Sequence, residues 1–303
     1  CSKKNIIKLG YTGYISEKLI DKFDNPKSIN NRYWDVVYRA AKLDANFGSL
    51  GQLKYEVGKD FPKLIDKECN LKNRIIGFHF YNPPPIQKLV EIIPSARTIP
   101  ELKRLSLELG TRLKKTLVQS EDIAGFIGNG HFLREIVYSC EVTDRLEAEY
   151  GFYQAIYMLN YVTEQFLIRP MGIFQLIDYV GLDICEQIGT VMEAYIPNQF
   201  FRHKLIKRLL KMGIKGGQKG DGSQSNGIFK YVKGPEAVVN KKGLYHSFEE
   251  SWLHQCHADL GELPPSHQTW KNLVKETHRE SILLDYFSEL KQQNSLGAKL
   301  AIE

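Results

Sequence analysis

At 303 residues the chain is long enough for one large or two modest domains with an ample apolar core. Apolar residues make up 43% and charged residues 25%. No run approaches the roughly 18 uninterrupted apolar residues of a membrane helix, so a helical membrane-spanning protein and a disordered one are both excluded. The net charge of +6 is unevenly spread, with +8 on residues 201–234 and −2 on the remainder, so a polyanion would approach that segment.

The cysteines Cys1, Cys69, Cys140, Cys185 and Cys256 are odd in number and lack a C-x-x-C spacing. They read as free thiols in a reducing compartment, which makes the cytoplasm the expected location. The chain begins on Cys1 without a Met and ends on residues 299–303 within a helical pattern, which reads as a fragment or an incomplete gene model. Lipid attachment at Cys1 is the disfavoured alternative, since no signal segment is present.

Residues 1–70 are polar and irregular, with turns at Asn25-Pro26 and Asn30-Asn31 and a strand candidate over 34–38. The apolar run 74–80 is cut off by Asn82 and Pro83, Pro84 and Pro85, and a second run covers 88–94, which predicts two strands joined by a rigid proline turn. Pro100 opens a helix with Leu102, Leu105, Leu107 and Leu109 as apolar positions, and 116–118 follows as another strand. Strand, helix and strand in alternation imply a largely parallel sheet. Beyond Gly125 the pattern is helical over 126–149, 152–168, 173–180, 183–195 and 198–212, with the domain boundary near 124. A Gly, Lys and Ser loop (213–227) leads to a short extended piece (227–231), and helices resume over 247–260 and 268–292, parted by Pro264-Pro265. The organisation read from these patterns is 1–124, 125–233 and a helical extension, 234–303.

Glu91 stands inside the apolar run 89–93, where a carboxylate either faces solvent or is buried and paired. His79, at the end of the preceding strand, is its natural partner. A carboxylate bonded to an imidazole orients the ring, fixes its tautomer and makes the outer nitrogen a general base toward a hydroxyl. The alternative is a core histidine with a backbone partner and a solvent-facing Glu.

The letters around this pair carry a resemblance. Arg74-Ile-Ile-Gly-Phe-His79-Phe-Tyr81-Asn82-Pro83, followed by Lys88-Leu-Val-Glu91, resembles the active-site segment of the L-3-hydroxyacyl-CoA dehydrogenases, a His-Phe-Phe-Asn-Pro run followed by Lys-Leu-Val-Glu. Gly125-Phe-Ile-Gly128-Asn129-Gly130 is similar to that family's Gly-Phe-Ile-Val-Asn-Arg. Pro170-Met171-Gly172-Ile-Phe174 with Asp178 and Gly181-Leu182-Asp183 is similar to its Pro-Met-Gly-Pro-Phe segment. Lys215-Gly-Gly-Gln-Lys219-Gly and Gly227-Ile-Phe229-Lys-Tyr231 resemble its closing glycine-rich motif.

The resemblance implies a fold of α/β plus all-α type: an incomplete or divergent Rossmann-like parallel-sheet domain, then a helical C-terminal domain. It implies that His79 takes the proton of a 3-hydroxyl while hydride leaves C3 for NAD, that Glu91 holds the imidazole, and that Asn129 bonds the substrate oxygen from a helix N-terminus. It further implies an acyl-CoA substrate and a homodimer formed through the helical domain. Asn46-Phe-Gly48-Ser49-Leu50 resembles the family's Asn-Thr-Ser-Ser-Leu turn and offers Ser49 to the substrate.

The departures fall at the cofactor. No Gly-x-Gly-x-x-Gly precedes His79, and the nearest approach is Gly10-Tyr-Thr-Gly13, with Lys8 where the first glycine belongs. A non-catalytic descendant serving as an acyl-CoA-binding or dimerising subunit is therefore the second reading, and a small-acid dehydrogenase of the gulonate type the third. His254, Cys256 and His257 near Glu249 and Glu250 suggest a metal only weakly, because His254 and Cys256 point to different helix faces, and no metal is expected. The basic tract reads as a solvated face or a contact for coenzyme A phosphates. Without aromatics interleaved among the bases, no nucleic-acid partner is expected, and none in a membrane. The aromatics of 150–200 read as helical core or subunit interface.

Overall fold

The computed structural model describes residues 72–81, 87–219 and 223–303, with the backbone of Lys8–Leu9 and Gly13–Ile15. The strand candidate at 34–38, Gly10 and Ser49 lie outside the described residues. Contacts divide the chain into two compact units, Cys1–Gly130 with Ala194–Pro197, and His131–Glu193 with Asn198–Glu303.

The first unit holds a five-stranded sheet of β1 (Lys8–Leu9), β2 (Gly13–Ile15), β3 (Ile76–Phe80), β4 (Leu89–Pro94) and β5 (Thr116–Gln119), in that spatial order. Every residue of β3 is buried, as expected for a strand covered on both faces. The expected parallel pairing is found between β4 and β5, while β1–β2, β2–β3 and β3–β4 are antiparallel. For β3 and β4 the reason is connection length: eight residues between the strands suit a hairpin, whereas a parallel return needs about a dozen residues or more, which 95–115 supply between β4 and β5.

Those residues contain α1 (Pro100–Arg112), opened by Pro100 in its first turn, where the missing N–H would have no helical partner anyway. Leu102, Ser106, Leu109 and Gly110 form its buried face, and Leu107, although apolar, is 49% exposed on the opposite side. Gly110 is pressed against β5, where a Cβ would lie 2.4 Å from Leu117 Cδ2.

Helices dominate the second unit. α2 (Gly128–Tyr150) runs into it from the first, and is followed by α3 (Phe152–Tyr161), a single π-helical turn (Val162–Phe166), α4 (Ile173–Val180), α5 (Leu182–Tyr195) and α6 (Lys204–Lys211). A three-stranded antiparallel sheet then forms from β6 (Phe229–Tyr231), β7 (Pro235–Val239) and β8 (Tyr245–Ser247). α7 (Glu250–Leu260), α8 (Trp270–Leu273), α9 (Arg279–Leu290) and α10 (Leu296–Ile302) complete the chain.

The extension beyond residue 233 is therefore not wholly helical: β7 and β8 occupy its first part. It shares a core with α3 and the π turn, where Met158, Val162 and Phe166 are buried with Cys256, Leu260, Tyr286, Leu290 and Ala298. The Tyr286 hydroxyl, inside that core, donates to the Phe166 carbonyl at 2.9 Å, so burying it leaves no polar atom unpaired. The aromatics of α3 meet the extension too, with the Tyr157 ring 5.3 Å from Phe248 and 5.2 Å from Trp252.

Asp178, fully buried in α4, joins two of the family-like segments. Its carboxylate accepts the backbone N–H groups of Ile228 (2.6 Å) and Phe229 (2.8 Å) and the Tyr231 hydroxyl (2.9 Å). Gly227 permits this approach, since a Cβ there would lie 2.1 Å from Asp178 Oδ1. Part of the basic tract is neutralised within the unit, with Arg202 against Glu193 and Glu186, Lys204 against Asp144 at 2.8 Å, and Lys230 against Glu236 at 2.8 Å.

Candidate active site

The antiparallel register of β3 and β4 sets His79 directly opposite Glu91. Residues opposite each other on an antiparallel pair point to the same face, so backbone pairing alone brings imidazole and carboxylate together. Both side chains are buried, His79 at 3% and Glu91 at 1% exposure. The alternative of a solvent-facing Glu91 does not hold.

Glu91 does more than face His79. Gly125 and Phe126 both take positive φ, 83° and 45°, and turn the chain into the start of α2. The first N–H groups of that helix then reach the carboxylate: Ile127 N–H donates to Oε2 at 3.2 Å and Gly128 N–H to Oε1 at 2.8 Å. These donors have no partner inside the helix, and the helix dipole favours a negative charge at this end. Tyr81 donates its hydroxyl to the same Oε1.

Burial by itself raises the pKa of Glu91. His79, the Tyr81 hydroxyl and the Gly128 N–H together outweigh it and pull the carboxyl down to about 2. For Tyr81, burial first and the Glu91 carboxylate second push the phenol above its ordinary range, so it stays protonated as a donor.

The expected hydrogen bond from His79 to Glu91 is not formed. Nδ1 lies 3.7 Å from Oε1, beyond hydrogen-bond range, and has no partner among the described residues. Oε1 is already engaged by Tyr81 and Gly128. The ring is instead held by its neighbours, with centroids 5.1 Å from Tyr81 and 5.6 Å from Phe126.

Asn129 follows Gly128 in the first turn of α2 and is half-buried. Gly13 opens β2 and pairs with Phe78. That is strand geometry, not the strand-to-helix turn from which glycines cradle a pyrophosphate. Outside this unit, Cys256 is buried in α7 while His257 Nε2 lies 2.9 Å from the Tyr157 hydroxyl, so the two have separate structural partners. Tyr81 is visible in the sequence as a departure from the motif letters, with no role attached to it, whereas Gly128, which departs from them as well, went unread.

Because Glu91 is more acidic folded than unfolded, its ionised form stabilises the fold. That contribution is complete above about pH 4.5 and is lost as pH falls toward about 2. Thermal melts followed by circular dichroism are expected to show the wild type's advantage over Glu91→Gln shrinking across that window. A pH-independent gap would contradict the assignment.

The description "3-hydroxyacyl-CoA dehydrogenase, NAD binding domain" matches residues 62–123, and that of the same enzyme's C-terminal domain matches residues 153–225. A probable 3-hydroxyacyl-CoA dehydrogenase of Caenorhabditis elegans is 32% identical over 208 residues, which cover 63% of this chain and 67% of that protein. The chain belongs to the 3-hydroxyacyl-CoA dehydrogenase family. A probable 3-hydroxybutyryl-CoA dehydrogenase of Bacillus subtilis is 31% identical over 157 residues, 50% of this chain and 52% of that protein. The chain thus spans between about half and two thirds of the length of these relatives. The crystal structure of an (S)-3-hydroxybutyryl-CoA dehydrogenase from Ralstonia eutropha is similar with a TM-score of 0.45 at 23% identity, covering 53% of each chain.

The family's NAD-binding domain is thus matched in part, but the described residues do not fit the dinucleotide's pyrophosphate. Among them no glycine turn leads from a strand into a helix N-terminus free to receive a phosphate, and the N-terminus of α2 is taken by Glu91.

Proposed function

We propose that the chain acts as an L-3-hydroxyacyl-CoA dehydrogenase of fatty acid metabolism, interconverting a 3-hydroxyacyl-CoA and the 3-ketoacyl-CoA. The observation that carries this reading is the buried His79 opposite an ionised Glu91 at the head of α2. His79 accepts the proton of the 3-hydroxyl, and the positive charge it gains is offset by the carboxylate within 3.7 Å. Asn129, next to the Glu91-capped turn, donates to the substrate oxygen. The family assigns the hydride to NAD. The reading includes an acyl-CoA substrate, Ser49 as a substrate contact, a homodimer through the helical unit and a cytoplasmic location. Among the described residues no helix is long and apolar enough to cross a membrane.

One observation favours the second reading, a catalytically retired subunit that binds acyl-CoA or dimerises: Gly13, part of the sequence's nearest approach to the phosphate-cradling turn, is a strand residue. NADH oxidation with acetoacetyl-CoA by the purified 303-residue chain separates the two, with NADH binding measured by calorimetry alongside. Turnover supports the dehydrogenase. A folded chain that binds acetoacetyl-CoA but neither binds nor oxidises NADH supports the retired subunit.

A further inference from the structure

Two donors converge on one oxygen of Glu91. Its Oε1 accepts from the Tyr81 hydroxyl and, at 2.8 Å, from the Gly128 N–H, while Nδ1 of His79 stays 3.7 Å away and unpartnered among the described residues. A buried ring nitrogen without a partner is costly, and it stands beside a carboxylate whose two oxygens both have donors.

The phenol reaches Oε1 because residue 128 has no side chain. A Cβ on Gly128 would lie 1.8 Å from Tyr81 Oη, 2.7 Å from its Cζ and 2.9 Å from Glu91 Oε1. No adjustment of a few tenths of an ångström accommodates such a carbon. The motif letters that this chain resembles have Phe at the place of Tyr81 and Val at the place of Gly128, so the hydroxyl and the space for it occur together. In a site with Phe and a β-branched residue there, Oε1 would have one donor fewer and the imidazole would be the nearest group to fill it.

We infer that Tyr81 is a positioning residue: its hydroxyl, in the space left by Gly128, occupies the Glu91 oxygen that would otherwise anchor His79, and so decides whether the imidazole is held. While the phenol donates to Oε1, Nδ1 has no donor or acceptor among the described residues and the ring packs against Tyr81 and Phe126. When the phenol is absent, Nδ1–H donates to Oε1 and the tautomer with Nε2 free to accept a proton is locked in. The bearing on turnover rests on the dehydrogenase reading, and the exchange of partners at Oε1 does not.

Histidine-selective 15N NMR on the full chain tests this, with the His79 ring signals assigned from their loss in His79→Gln. In Tyr81→Phe the Nδ1 signal is expected to move to that of a protonated, hydrogen-bonded nitrogen, with a downfield proton protected from exchange that the wild type lacks. Gly128→Ala, whose Cβ displaces the phenol, is expected to give the same His79 signature. An unchanged His79 ring in Tyr81→Phe overturns the inference, as does a folded Gly128→Ala that keeps the wild-type signature. If Gly128→Ala does not fold, Tyr81→Phe decides alone. A ring signal that moves as expected while no variant turns over NADH supports the role of Tyr81 and counts against the dehydrogenase reading.

Discussion

Replacing His79 with Ala is expected to lower kcat/KM for acetoacetyl-CoA reduction by about 10²–10⁴-fold, the usual worth of a positioned general acid or base. No other described side chain in this unit combines burial, an imidazole ring and an ionised carboxylate opposite it in register. Loss of the imidazole leaves Glu91 capped by Ile127, Gly128 and Tyr81, so the fold of the unit is expected to persist. Far-ultraviolet circular dichroism on the same sample separates a chemical loss from a structural one. A folded His79→Ala with an undiminished rate would remove His79 from the reaction.

The second large effect is structural and falls in the other unit. Asp178→Ala takes the acceptor from three donors at once, the N–H groups of Ile228 and Phe229 and the hydroxyl of Tyr231, in a place without solvent. Each buried group left unpaired costs about 1–3 kcal/mol, so the total is expected to reach at least about 3 kcal/mol in denaturant unfolding. Tyr231→Phe, which removes one donor and leaves the acceptor its other two, is expected to cost about 1–2 kcal/mol. Equal losses in the two variants would mean that the backbone donors contribute nothing.

Burial pushes the Asp178 carboxyl up to about 7, against the pull of the same three donors. A carboxyl whose pKa is higher folded than unfolded binds its proton more tightly in the fold, so its contribution is complete at low pH. That contribution declines as pH rises from about 3.8 toward about 7. The stability of the wild type relative to Asp178→Asn is expected to fall across that window and then level off.

How much of this was legible in the sequence differs from residue to residue. The two apolar runs parted by Asn82, Pro83, Pro84 and Pro85 read as two strands joined by a turn, and the family-like letters favoured a pairing of His79 with Glu91, but the register that sets the two opposite each other is not encoded in the alternation and came from the structure. Helices α2 to α5 announced themselves through spacing, and Asp178 stood out within a family-like segment without disclosing what it holds. Of the second sheet only β6 was legible, within the extended piece 227–231, while β7 and β8 were missed: strands of five and three residues are too short for alternation to register against the helical patterns around them.

The sequence by itself determined the family, the strand carrying each member of the His79–Glu91 pair and the passage from an α/β unit to a helical one. These depend on local periodicity and on letters adjacent in the chain. Only the tertiary structure decided which donor each oxygen of Glu91 receives. That choice is made where residues 81, 91 and 128 meet, from separate segments of the chain, and it turns on whether one side chain leaves room for another. Hydrogen bonds are settled by distances of a few tenths of an ångström, and no one-dimensional pattern encodes those.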